Sequence, residues 1–195
     1  MRIIAGTHKN QQIISPKGME TRPTSGKLRG SLFNICQGYI QDAQMLDLFA
    51  GSGAIGLEAL SRGASHVTFI DSSKESIHCI HQNLKNMGFL ARAQVICGDV
   101  FQWMEKLEKL GRLYEIIYAD PPYGKIGNGD VFYSQEVINR IDRGGLLLPD
   151  GDLFVEESNG LKLQGEGLGS LELVSSRNMG KAILQQYRKR VMYDD

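Results

Sequence analysis

The chain has 195 residues, 42% hydrophobic and 23% charged, ordinary values for a globular protein of one domain or one domain with an appendage. Its apolar runs are only a few residues long, Met1 to Gly6 has no apolar core, and three unevenly spaced cysteines (Cys36, Cys79, Cys97) form no C-x-x-C pair. A membrane span, a signal peptide and a disulfide framework are therefore not expected, and a reduced, cytoplasmic protein is.

Net charge is zero, yet residues 1–30 carry +5 and the other 165 carry −5. Arg2, Lys9, Lys17, Arg22, Lys27 and Arg29 face a single acid, Glu20, in that first stretch. A basic arm on an acidic body suits a polyanionic partner met by one end of the molecule.

Two short apolar runs, Ile3-Ile4-Ala5 and Ile13-Ile14, flank polar residues 7–11 and predict a β-hairpin. Pro16, Gly18 and Pro23 then break regularity. Thr24 or Ser25 offers a helix cap, and Leu28, Leu32, Ile35 and Tyr39 follow at helical spacing to about Gln41. From Met45 strands and helices alternate. Strands are predicted at 45–49, 66–70, 93–97, 115–119 and 152–156, and helices at 54–60, 74–87, 100–110 and 134–141. Alternation of this kind gives a parallel sheet covered on both faces. Two successive strands, 171–175 and 182–188, close it with an antiparallel pair. The expected fold is α/β and Rossmann-like, with a hairpin arm over 1–23 and one domain over 24–195.

Gly51, Gly53 and Gly56 match G-x-G-x-x-G between a predicted strand and helix, and Asp71 ends the next strand. That is the dinucleotide fingerprint, in which the acid binds ribose hydroxyls. Asp47 shifts the reading. A carboxylate at the mouth of the first strand is a poor neighbour for a pyrophosphate and a good one for an ammonium group. S-adenosylmethionine (AdoMet) has an ammonium, a ribose and an adenine, and no phosphate. Asp99 ends the third strand; it suits an adenine amine, with the Val100 N–H facing the ring, and equally suits a helix cap.

The fourth strand runs into Asp120-Pro121-Pro122-Tyr123. One carboxylate, the Pro121 carbonyl and an aromatic face then suit a planar base carrying an exocyclic amine. Asp120 and the carbonyl accept its hydrogens, Tyr123 stacks on its ring, and the nitrogen lone pair is left for the incoming methyl. His78 and His81 lack the further ligands a metal site needs, and Trp103 and Met104 stand at core spacing.

The Asp-Pro-Pro-Tyr turn and the Asp47 to Gly53 loop resemble those of class I AdoMet-dependent amino-methyltransferases. The opening Met1-Arg2-Ile3-Ile4-Ala5-Gly6, the stretches Thr21-Arg22-Pro23-Thr24 and Leu32-Phe33-Asn34, and Leu57 to Ala64 narrow the resemblance to the bacterial ribosomal RNA small subunit methyltransferase D family, over nearly the whole chain. The chain departs from that family's usual residues at Gly30, Asp71 and Met179. The resemblance implies methyl transfer from AdoMet, with S-adenosylhomocysteine as product and no metal, to the N2 amine of one guanine in 16S rRNA, free or in the assembling small subunit. It further implies a hairpin arm that helps to hold RNA, and a monomer is expected. Carried onto this chain, the cofactor residues are Asp47, Phe49, Gly51, Gly53, Asp71, Asp99 and Val100, and the catalytic turn is Asp120, Pro121, Pro122 and Tyr123. Arg2, Lys9, Lys17, Arg22 and Arg29 are the candidate RNA contacts. An amino-methyltransferase acting on DNA or protein would share the turn, and an NAD-dependent oxidoreductase would share the glycines.

Overall fold

A computed structural model describes residues 1–16, 26–127, 129–159 and 167–191. The chain divides into two compact units, Met1–Trp103 and Met104–Asp195. In chain order the elements are α1 (Gly26–Ile35), β1 (Gln44–Leu48), α2 (Ala54–Ser61), β2 (His66–Asp71), α3 (Lys74–Asn86), β3 (Ala93–Cys97), α4 (Val100–Lys109), β4 (Tyr114–Ala119), α5 (Tyr133–Arg143), β5 (Leu147–Ser158), β6 (Leu171–Asn178) and β7 (Ala182–Lys189). Every strand and helix expected from Met45 onward is present. The first helix stops at Ile35 and continues only as a short 3-10 turn over Cys36–Gly38. Its expected cap, Thr24 or Ser25, lies outside the described residues.

The sheet has seven strands, ordered β3-β2-β1 in the first unit and β4-β5-β7-β6 in the second. β1, β2 and β3 pair in parallel, as do β4 and β5, whereas β5-β7-β6 is antiparallel. This is the mostly parallel sheet with antiparallel closing strands that the sequence predicts. In β2, Val67 to Ile70 are all buried, the mark of a parallel strand covered on both faces. α2 is buried along its whole length, while α3 exposes a polar face and is capped by Ser73, whose hydroxyl accepts from the Ser76 N–H at 3.2 Å. In the second unit Val137, Ile138 and Ile141 of α5, Ile116 and Ile117 of β4 and Leu153 to Val155 of β5 are buried. Among the described residues no helix is long and apolar enough to cross a membrane.

The N-terminal arm is a hairpin with a single antiparallel bridge, Arg2 to Gln12, flanked by backbone bonds such as Ile13 N–H to Met1 C=O (2.9 Å). Its stability comes from docking. Ile3 and Ile13 are buried, at 1% and 2% exposure. Glu58 of α2, itself fully buried, accepts the Ile4 N–H at 2.7 Å and the Ala5 N–H at 2.9 Å. Asn83 of α3 accepts from Ile14 N–H and donates to Ile14 C=O, both at 2.9 Å. Backbone groups that a two-strand ladder leaves over are thus satisfied by helices.

Candidate functional site

The turn between β1 and α2 is built from left-handed backbone. Phe49 (φ 57°), Gly51 (φ 55°) and Gly53 (φ 76°) all have positive φ. For the two glycines this is free, but for a bulky aromatic it is strained, and such strain is held in place only by a well-determined surround. A Cβ on Gly51 would meet nothing within 4 Å, so its backbone borders open space. Gly56 answers a different need: a Cβ there would fall 2.2 Å from Cε1 of Phe69, so its absence lets α2 close onto β2.

Asp71, at the end of β2, holds this turn. Its Oδ2 accepts the Gly51 N–H and its Oδ1 the Ser73 N–H, both at 2.8 Å. Each carboxylate oxygen has two acceptor sites, so each keeps one for a ligand hydroxyl. Asp47 lies deeper, 1% exposed, with Oδ2 accepting the Gly56 N–H at 3.0 Å. Burial pushes its pKa from 3.8 up to about 8, the Gly56 bond opposing and the Asp71 charge adding to the rise. At the end of β3, the Gly98 N–H bonds Asp71 C=O at 3.0 Å, which brings Asp99 to the same rim. Asp99 caps α4 through Oδ1 and the Gln102 N–H at 2.9 Å. Val100, the first residue of α4, is buried, and at that position a backbone N–H has no intrahelical partner. The structure therefore gathers Asp47, Phe49, Gly51, Gly53, Asp71 and Asp99 around one turn of the first unit. Trp103, expected in the core by its spacing, is only half-buried.

In the second unit, β4 delivers Asp120 half-buried, Pro121 buried, Pro122 exposed and Tyr123 with 45% of its surface exposed. Beyond Tyr123 the chain folds back on itself. Lys125 bridges Phe132, Ile126 N–H bonds Val131 C=O at 2.9 Å, and Tyr133 N–H bonds Gly124 C=O at 3.2 Å.

Of the candidate RNA contacts, Arg2 and Lys9 are exposed on the arm, and Lys17 and Arg22 lie outside the described residues. Arg29 is corrected. It is 3% exposed, its Nη2 donates to Arg2 C=O at 2.8 Å, and burial lowers its pKa, with Glu58 opposing and Arg62 adding. A guanidinium so enclosed braces the arm from beneath and offers nothing to a phosphate. Sequence reasoning also missed Glu58 as the arm's anchor. The signal was there: Glu58 is the only charged residue in Ala54–Ser61, and an acid inside an otherwise apolar helix demands a buried partner.

The family described as conserved hypothetical protein 95 matches residues 1–188. Ribosomal RNA small subunit methyltransferase D of Escherichia coli is 34% identical over 165 residues, covering 83% of this chain and 77% of that protein. The Bacillus subtilis protein YlbH, named provisionally as an rRNA methyltransferase, is 32% identical over 190 residues, 97% of this chain and 100% of its own. Among solved structures, the Escherichia coli protein yhhF, provisionally described as a methyltransferase, superposes with a TM-score of 0.81 at 28% identity, over 98% of this chain and 99% of that one.

Proposed function

The chain belongs to the ribosomal RNA small subunit methyltransferase D family, and from that premise we propose that it uses AdoMet to methylate the exocyclic N2 amine of one guanine in 16S rRNA. The observation that carries the cofactor half of this reading is the bracing of Asp71. Both of its oxygens are fixed by backbone N–H groups, and each retains an acceptor site, as a ribose diol requires. The open space over Gly51 admits a ligand close to the backbone, and the Val100 N–H and Asp99 suit an adenine edge. AdoMet supplies a methyl already activated by its sulfonium, so the protein's work is chiefly alignment and electrostatics.

In this reading the guanine leaves its stack, at a cost of a few kcal/mol, and lies on Tyr123, which returns about 1–3 kcal/mol. Asp120 and the Pro121 carbonyl accept the two amine hydrogens. The carboxylate stabilises positive charge on nitrogen as the bond to carbon forms, and Pro121 and Pro122, lacking N–H groups, fix the turn. The arm, residues 1–23, holds RNA phosphates through Arg2 and Lys9, and residues 24–195 form the methyltransferase domain. The enzyme works as a cytoplasmic monomer on free or assembling small-subunit RNA.

The test is single-turnover transfer of labelled methyl with saturating RNA and AdoMet. Asp120→Ala should lower the rate by about 10²–10³ while AdoMet and RNA binding stay near normal, and Asp120→Asn should recover part of it. A rate within a few-fold of wild type, or label entering DNA or protein in preference to RNA, overturns the assignment.

A further inference from the structure

Two polar side chains in the second unit are buried without serving any step described so far. Glu157, at the end of β5, is 2% exposed, and Ser134, in the first turn of α5, is 0% exposed. The Ser134 hydroxyl donates to Glu157 Oε2 at 2.5 Å. The other carboxylate oxygen, Oε1, is tied to its own strand by Ser158, through N–H at 2.5 Å and Oγ at 2.9 Å. The carboxylate also lies at the N-terminus of α5, where the helix dipole favours negative charge. Burying a carboxylate is costly unless its bonds are all made, so this one fixes the first turn of α5 firmly to the sheet.

That first turn is also the far end of the loop that begins at Tyr123. Tyr133, next to Ser134, donates its N–H to Gly124 C=O, next to Tyr123. Beyond that bond the loop is exposed: Val131 is 43% exposed, and Lys125 pairs with Asp130 at the surface. The loop's Lys125–Asp130 pair is a surface contact, whereas its base adjoins the buried Ser134–Glu157 pair, so the base is where the loop is tied to the sheet. We infer that the buried Ser134–Glu157 pair is a positioning device for Tyr123, acting through the Tyr133–Gly124 bond to hold its ring at the angle the target base needs. The inference rests on Tyr123 being the stacking residue of the proposed function. Ser134 and Glu157 are positioning residues and touch no reacting atom.

The experiment is a double-mutant cycle in RNA methylation, using Ser134→Ala, Tyr123→Ala and the pair, with Ser134→Thr as the conservative variant. Ser134→Ala should lower kcat about tenfold, since a small misplacement of a positioning group has effects of this order or larger, while AdoMet affinity stays within about twofold. Ser134→Thr keeps the hydroxyl and should restore most of the rate. In the Tyr123→Ala background Ser134→Ala should cost nothing more, because the group it positions is gone. Amide exchange at Tyr133 should rise in Ser134→Ala, a readout independent of activity. An unchanged kcat or unchanged exchange at Tyr133 overturns the inference. So does an equal loss in both backgrounds, which is the mark of general destabilisation. If Tyr123→Ala alone turns over at the wild-type rate, the stacking role itself fails, and the inference falls with it.

Discussion

If Asp47 receives the AdoMet ammonium, as its place at the end of β1 suggests, cofactor binding should be a proton-coupled event. In the ligand-free protein its pKa is about 8, mainly because the carboxyl is buried. At pH 7 about nine-tenths of such a group is protonated. An ammonium brought beside it favours the carboxylate, so the bound form releases the proton. Below pH 8 each unit of pH should then change affinity by up to about tenfold, or about 1.4 kcal/mol. The gain should stop near pH 8, where the ligand's own α-amino group begins to lose its charge. Folding stability follows the opposite trend. Because the folded pKa lies above the ordinary 3.8, the stability linked to Asp47 is complete below about pH 4 and is lost as pH rises through 8. The ligand-free protein should therefore melt at lower temperature at pH 8 than at pH 6, by comparison with Asp47→Asn.

Calorimetry at pH 6, 7 and 8, in two buffers of different ionisation enthalpy, measures both the affinity and the protons released. Asp47→Asn keeps an oxygen for the Gly56 N–H but has no proton to give, so its affinity should vary far less with pH. Wild-type affinity that is flat from pH 6 to 8, with no buffer-dependent heat, would refute the reasoning. Asp47 would then be a neutral brace of the α2 turn, and the ammonium would be held elsewhere.

Two further outcomes follow from the same geometry. Asp71→Ala should weaken AdoMet by roughly 1.5–3 kcal/mol, because two hydroxyls lose a charged acceptor and the Gly51 and Ser73 N–H groups lose their brace. The same loss should appear for S-adenosylhomocysteine, which shares the ribose, and unchanged affinity by calorimetry would remove Asp71 from the ribose site. Glu58→Ala should orphan the Ile4 and Ala5 N–H groups and the Arg62 Nε, costing at least about 2 kcal/mol of stability. Exchange of the Ile4 and Ala5 amides should accelerate, and normal protection there would mean that Glu58 does not latch the arm.

The alternating core was legible because its elements obey simple periods. Val67, Phe69 and Ile70 marked the strand at 66–70, where Thr68 is buried as well, and the stretch 74–87 read as a helix whose polar face is exposed. The glycines were legible as a motif, but their separate reasons were not. Gly51 and Gly53 answer a backbone angle, whereas Gly56 answers the Phe69 ring on another strand, a contact that only the folded chain creates. Charge counting misled at Arg29. Six cations in a short stretch look alike in sequence, and only packing against Arg2 C=O and α2 takes one of them out of reach of a phosphate. Asp99 suits an adenine amine or a cap and makes the cap bond to Gln102, while Asp47, placed as a partner for an ammonium, also holds the Gly56 N–H of α2.

The docking of the arm also sets an order of events in folding. Ile4 reaches Glu58, 54 positions away, and Gln11 reaches Asn86 C=O, 75 positions away. Residues 1–16 are therefore synthesised well before the helices that hold them. At roughly 5–20 residues per second the arm waits several seconds for α3 to emerge. Throughout that interval Ile3 and Ile13 have no core to enter, and the single bridge between Arg2 and Gln12 is too little to keep a hairpin closed. The first segment to be made must thus wait for α3 before it can dock, and until then it is a short, partly apolar, positively charged stretch open to chaperones and proteases.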